Sequence, residues 1–287
     1  NTTKSVKENT EIALTTDAED EANTVVIKNG TPFDGLSGDM HKAQFEGQTI
    51  TLTAKVTKEG TQTGVESGSV EFYQKKDNDW TLIATVPVQP EGQNMGVAAA
   101  EATMSAYTDP VAEAKDEFYA KYVPNETYET STTEMTPLMV YIKSAQLQIP
   151  VIADVDTPTA HTGKWIDAQG QEVANGDNKT ATSYDYHLGG LTAGIKHTFQ
   201  LKQTGANKDD EADWSVVARD GRTVAGDMYT MKWETLTDAN WKTTTTTGDT
   251  YTAETTKVGD RYHILLTGAK NSPFDGSKVV SKDIAIG

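Results

Sequence analysis

The residues best suited to chemistry are thinly spread along this chain. Five histidines, His41, His161, His187, His197 and His263, occur singly. A zinc site would need the fold to gather imidazoles and carboxylates. His197 and His263 are the pair to consider, because each sits in a strand-like run and the two become neighbours if those strands pair. Carboxylates number 42 against 25 Lys and Arg, so no one pair stands out as the acid and base of a glycosidase. Acidic clusters at Asp17–Glu21, Asp77–Asp79, Asp154 with Asp156, Asp177 between Asn175 and Asn178, and Asp209–Asp213 offer the hard oxygen ligands that calcium takes. None has EF-hand spacing; Asp209, Asp210 and Asp213 are the calcium candidates carried forward. Four tryptophans, Trp80, Trp165, Trp214 and Trp241, are not demanded by the core pattern. Aromatic faces of this kind, flanked by Asp and Asn, can hold sugar rings. HExxH, GxGxxG, GxxxxGK[ST] and GxSxG are all absent. Cysteine is absent too, which excludes disulfides, thiolate metal sites and thiol nucleophiles.

A net charge of −17 repels phosphate backbones and anionic lipid, so nucleic acid and membrane surfaces are poor partners. No apolar run approaches the roughly 18 residues of a membrane helix. The 287 residues exceed one ordinary core and suggest about two domains.

The elements that must position these groups are strands. Between Gly226 and Gly268 lie four runs, Met228–Leu236, Trp241–Thr247, Tyr251–Thr256 and Arg261–Thr267, rich in Thr, Tyr and Trp and separated by turn residues. Tyr229, Met231 and Trp233 alternate with polar neighbours, as do Tyr262, Ile264 and Leu266, so each run has one apolar face. Ile50, Leu52, Ala54 and Val56 show the same alternation nearer the N-terminus. Phe118, Ala120 and Tyr122 repeat it. Sheets with one apolar face must bury it against another layer. The expectation is an all-β chain with Trp233, Tyr262 and Tyr122 in its cores. Residues 1–23 read as a polar leader or linker, in which Glu11–Thr15 could add an edge strand. Two sandwiches then span 24–147 and 148–287. In the second, Ile195–Lys202 is the expected partner of the Tyr262 strand. An extra hairpin pairs Trp214–Ala218 with Met228–Trp233 across the Arg219–Arg222 turn.

Two sets of residues resemble a known family. Trp233, followed by Gly259, Asp260 and Tyr262, is similar to the immunoglobulin core Trp and tyrosine corner, with Ile264 where that pattern has its second Cys. The phrases GQTITLTAKV, GSVEFY and FYAKYVPNETYETS resemble, in order, the bacterial immunoglobulin-like (Big-type) domains of Gram-positive cell-surface or secreted proteins. The resemblance implies two tandem immunoglobulin-like β-sandwiches in a monomeric, non-enzymatic, extracellular segment excised from a longer chain. Its partners would be neighbouring domains of the same polypeptide and, in the alternative, a host or glycan ligand. That alternative is an adhesion module, or accessory domains of a secreted polysaccharide-degrading enzyme. Pilin-like sandwiches of this type also form Lys–Asn crosslinks, for which Lys202 and Asn271 have suitable side chains but no selecting spacing.

Overall fold

A computed structural model describes residues 3, 5–22, 27–28, 31–32, 40–108, 114–148, 151–154, 164–167, 172–173, 184–187, 191, 193–202, 216–281 and 283–287. The described residues contain strands and turns but no helix. They fall into two units, residues 1–24 with 34–143 and residues 25–33 with 144–287.

In chain order the strands begin with β1 (Thr10–Thr16), β2 (Glu19–Ala22), β3 (Ile27–Lys28), β4 (Thr31–Pro32), β5 (Met40–Phe45) and β6 (Thr49–Lys58). There follow β7 (Ser69–Lys76), β8 (Asp79–Pro87), β9 (Val97–Thr103), β10 (Lys115–Val123), β11 (Ser131–Thr132) and β12 (Leu138–Lys143). One sheet of the first unit has the order β1-β6-β9; the other runs β2-β5-β12-β10-β7-β8, with β11 on β10. This is the immunoglobulin arrangement, with A, B and E on one side and A′, G, F, C and C′ on the other, β2 lying as an extra edge strand beyond A′. β5 and β12 pair in parallel, Ala43 with Tyr141 through Phe45 with Lys143. The β7–β8 turn places Asp77 and Asn78 at positive φ, which matches the right-handed twist of the hairpin.

The core follows from alternation. Leu52, Ala54 and Val56 of β6 face Phe72 of β7 and Phe118, Ala120 and Tyr122 of β10, all fully buried. Gln74, also buried, donates from Nε2 to the Thr103 carbonyl of the opposite sheet at 3.1 Å. The Tyr122 hydroxyl donates to the Ser67 carbonyl at 2.6 Å. Gly68 makes room for that ring: a Cβ there would lie 2.6 Å from Tyr122, and its φ is +95°.

The second unit contains β13 (Leu147–Gln148), β14 (Val151–Asp154), β15 (Lys164–Asp167), β16 (Glu172–Val173), β17 (Tyr184–His187), β18 (His197–Lys202) and β19 (Val217–Ala218). It closes with β20 (Tyr229–Asp238), β21 (Asn240–Thr243), β22 (Thr250–Ala253), β23 (Arg261–Gly268), β24 (Lys278–Val280) and β25 (Ile284–Ala285). Here β14-β18-β22 occupy the A, B and E places. β21-β20-β23-β24 occupy C′, C, F and G, with β25 also on β23. Trp233 of β20 is fully buried opposite Ile264 of β23, and its indole donates to the Gly248 carbonyl at 2.9 Å. Phe199 of β18 meets Tyr262 of β23 with ring centroids 5.0 Å apart, and Tyr251 of β22 lies 5.7 Å from Trp233. These rings join the two layers. After β23, Gly276 takes positive φ and Phe274 is buried at the core edge, the turn chemistry expected of its Pro-Phe-Asp-Gly sequence.

Two pairings are corrected, and within the stretch read as a leader the edge strand considered at Glu11–Thr15 is present and one residue longer at each end. Residues 10–16 belong to strand A, pairing with β6 along their whole length; Thr10 and Thr16 share the inward side with Ile12 and Leu14, an alternation too polar to read as a seven-residue strand. β18 does not pair with the Tyr262 strand; it pairs with β14 and β22 and faces β23 across the core, because two apolar faces bury more surface by stacking than by sharing an edge. The Arg219–Arg222 turn exists, but its return arm is Thr223 and Val224: Val217 bridges Thr223, and the Val224 amide donates to the Val216 carbonyl at 2.8 Å. Gly221, at positive φ, closes so tight a turn that only adjacent residues can pair. Met228–Trp233 lies instead within β20 and its approach, where Tyr229–Trp233 pairs with β23.

Two substitutions test this packing. Trp233→Ala should cost about 3–5 kcal/mol by cavity formation, and Tyr122→Phe about 1 kcal/mol by loss of one buried hydrogen bond, both measured by urea unfolding. A cost below ~1 kcal/mol for Trp233→Ala would contradict its place between the layers.

Candidate functional site

Of the groups singled out in the sequence, Trp80 in the first unit and Trp241 and His263 in the second lie on the outer face of the C′-C-F-G sheet, where alternation turns every second residue away from the core. In the first unit Tyr73 and Tyr119 are cross-strand partners and stack at 4.4 Å with an interplanar angle of 12°. Trp80 stands edge-on to Tyr119 at 4.7 Å. The Lys75 ammonium lies 5.5 Å from the Trp80 ring centroid and also pairs with Glu117 at 3.4 Å. Leu82, Met139 and Val123 are exposed apolar side chains on this face, 49%, 43% and 39% accessible. The Tyr73 hydroxyl donates to the Glu71 carboxylate at 2.9 Å. Burial, then that bond and the carboxylate's charge, push the Tyr73 phenol up to about 12.

In the second unit the outer face is polar around one aromatic. Trp241 lies parallel to the His263 imidazole, centroids 3.7 Å apart. His263 Nε2 contacts Glu234 Oε1 at 2.8 Å and its Nδ1 contacts Asp283 Oδ1 at 3.1 Å. Thr243 donates to the other oxygen of Glu234 at 2.9 Å, and Arg261 to that of Asp283 at 3.3 Å. Burial alone would raise Glu234. Hydrogen bonds from His263 and Thr243 and the charges of His263 and Lys278 outweigh it and hold the carboxyl below the usual range. Its contribution to stability is present above the ordinary carboxylate range and is lost as pH falls through the lowered value.

The structure thus places two of the four loose tryptophans, Trp80 and Trp241, in separate units, each half-buried against its own sheet. Trp165 lies on β15, its backbone paired with Tyr186 and Val173, and its side chain falls outside the described residues. Trp214, Asp209, Asp210 and Asp213 also lie outside them. Among the described residues no three His, Asp or Glu side chains converge on a metal position. Asp17 caps the Thr51 amide at 2.7 Å, Asp20 pairs with Lys42 at 3.3 Å and Glu21 pairs with the buried Lys143. His197 and His263 are not brought together. His197 is buried on the inward side of β18, two residues from Phe199, whereas His263 faces outward beside the inward Tyr262. Asn271 sits in a turn at positive φ, its amide held by Asp275.

Sequence reasoning missed the Glu234–His263 pair, although a signal existed: once Trp233 and Ile264 are set opposite one another inside, their neighbours must be opposite outside. It also missed Asp116, whose carboxylate receives the Ser105 amide and hydroxyl, each at 2.7 Å. Asp116 precedes Phe118 by two residues, as Asp260 precedes Tyr262, and Asp260 in turn receives the Lys257 amide at 2.8 Å. The two F strands therefore start alike.

No family model and no curated protein matches the chain. Among solved structures it is similar to fibronectin(III)-like modules of Clostridium thermocellum CbhA at 12% identity, TM-score 0.25, covering 96% of this chain and 92% of that one. Domains from titin give 12%, 0.24, 95% and 96%. The Yersinia pseudotuberculosis adhesin InvE gives 12%, 0.25, 85% and 56%.

The outer face of the first unit predicts its alkaline behaviour. Tyr73, raised from near 10 to about 12, stabilises the fold at pH below its unfolded value, and that contribution disappears as pH rises through the folded value. Ultraviolet titration should show Tyr73 ionising after free tyrosine, and Glu71→Gln should move it earlier; an unshifted curve in that variant would remove Glu71 as a cause.

Proposed function

We propose that the chain is a non-enzymatic structural segment of an extracellular bacterial protein, a spacer or adhesin-stalk region built of Big-type immunoglobulin-like domains that work as monomers beside neighbouring domains of the same polypeptide. The observation that carries this reading is the parallel pairing of β5 with β12, continued by the Glu46 amide donating to the Lys143 carbonyl at 2.9 Å. When parallel strands are pulled from opposite ends, their hydrogen bonds load together in shear. β1 and β2, on antiparallel partners, precede this patch in the chain. Such a unit resists tension along its ends, which is what a spacer needs.

The alternative is a glycan- or protein-binding adhesion module, or accessory domains of a polysaccharide-degrading enzyme. For a sugar platform the rings would have to offer free faces. Tyr73 spends one on Tyr119, and Trp241 spends one on His263. The exposed Leu82, opposite Tyr73 and two residues from Trp80, is the feature in that reading's favour.

Pulling the chain by its ends in a single-molecule force experiment tests the proposal. Glu46→Pro, which deletes the N–H bonded to Lys143, should lower the unfolding force of the first unit while leaving the second unchanged. Equal forces with and without the substitution would defeat the tension-bearing reading, and saturable binding to a glycan array would favour the alternative.

A further inference from the structure

The arrangement around His263 has a proton requirement that its neighbours make explicit. The ring is buried, 6% exposed, and both of its nitrogens touch carboxylate oxygens. An ionised carboxylate can only accept, and a neutral imidazole carries one N–H. Both contacts are therefore hydrogen bonds only when the ring holds two protons. The other groups around it agree with a positive ring. Glu234 comes from β20, and Asp283 from the connection into β25. β21 contributes the uncharged ring of Trp241, a face suited to a cation, and the Thr243 hydroxyl. Arg261 on β23 itself pairs with Asp283, and Lys278 of β24 bears on Glu234.

Asp283 is the last residue before β25; ahead of it the Ser281 amide donates to the Ile264 carbonyl and the Ile264 amide to the Ser281 hydroxyl, both at 2.9 Å, and after it the Gly287 amide donates to the Leu191 carbonyl at 3.1 Å. Ile284 pairs with Tyr262 and Ala285 with Arg261. The Ile286 amide donates to the Asp260 carbonyl and the Gly259 amide to the Ile286 carbonyl, both at 2.9 Å. Ile284 and Ile286 are buried.

We propose that His263 is a proton-dependent fastener for the C-terminal strand β25: doubly protonated, it ties Asp283 to Glu234 across the sheet, and loss of one proton unties Asp283. Glu234 keeps the remaining N–H because its contact is the shorter. The Nδ1 lone pair then faces the lone pairs of Asp283, and repulsion between them loosens the strand that Asp283 introduces. The consequence is that β25 opens as the medium becomes alkaline while the rest of the sheet holds.

Amide hydrogen exchange of the full chain tests this. After correction for intrinsic rates, protection of the Ile284–Ile286 amides should fall between about pH 6 and about pH 9, as the ring loses its second proton. The β20 and β23 amides serve as the control for global unfolding. In Asp283→Asn the carboxamide can donate to a neutral ring, and protection should stay level across the same range. His263→Gln should give low protection at every pH. A level profile in the unaltered protein, or an equal fall in Asp283→Asn, would overturn the proposal, as would nitrogen chemical shifts showing one protonated ring nitrogen at the acidic end.

Discussion

Everything in both units depends on the F strand having an aromatic inside its first turn of alternation and a carboxylate just before it. Asp116 with Phe118, and Asp260 with Tyr262, share one device: the buried carboxylate collects donors from the preceding loop, so the strand enters at a fixed height. With the height fixed, Ala120 falls opposite Phe72, and Ile264 opposite Trp233. The opposite sheet can then close on a flat apolar surface. Moving either strand by one residue would turn its buried set outward, and no other register offers these rings an interior.

The layered architecture was legible because it rests on period-two alternation in β6, β7, β10, β20 and β23, which needs no partner to be recognised. Pairing was less legible. The strand carrying Phe199 and the strand carrying Tyr262 both present an apolar face, and a sequence alone does not distinguish strands that share an edge from strands that face each other across a core. Strand A was legible only as a possible edge strand at Glu11–Thr15: a strand whose inward positions are Thr, Ile, Leu and Thr looks polar in composition, although its seven backbone pairs with β6 are those of an ordinary strand. The cluster around His263 was invisible in part because Asp283 reaches it from twenty residues away, through a turn no local pattern announces.

The outer faces of the two units differ in a way that composition conceals. On the first, aromatic groups and alternating charges form cross-strand rows, Trp80 with Lys75 and then Glu117. Pairs of this type each contribute modestly to sheet stability. On the second, the same position in the sheet holds a hydrogen-bonded ionic chain from Thr243 through Glu234, His263 and Asp283 to Arg261. A surface with so many internal commitments binds outside groups only by breaking them.

One junction has a practical side. Ser144 follows the last residue of β12 directly, and its amide is received by Asp220 at 2.9 Å while Arg222 reaches its carbonyl at 3.0 Å. Leu147 is buried and pairs with Ala218. A recombinant fragment that starts at residue 148 would discard a piece of its own interior, whereas one that starts at Ser144 retains Leu147 and leaves behind only residues 25–33 of the same unit.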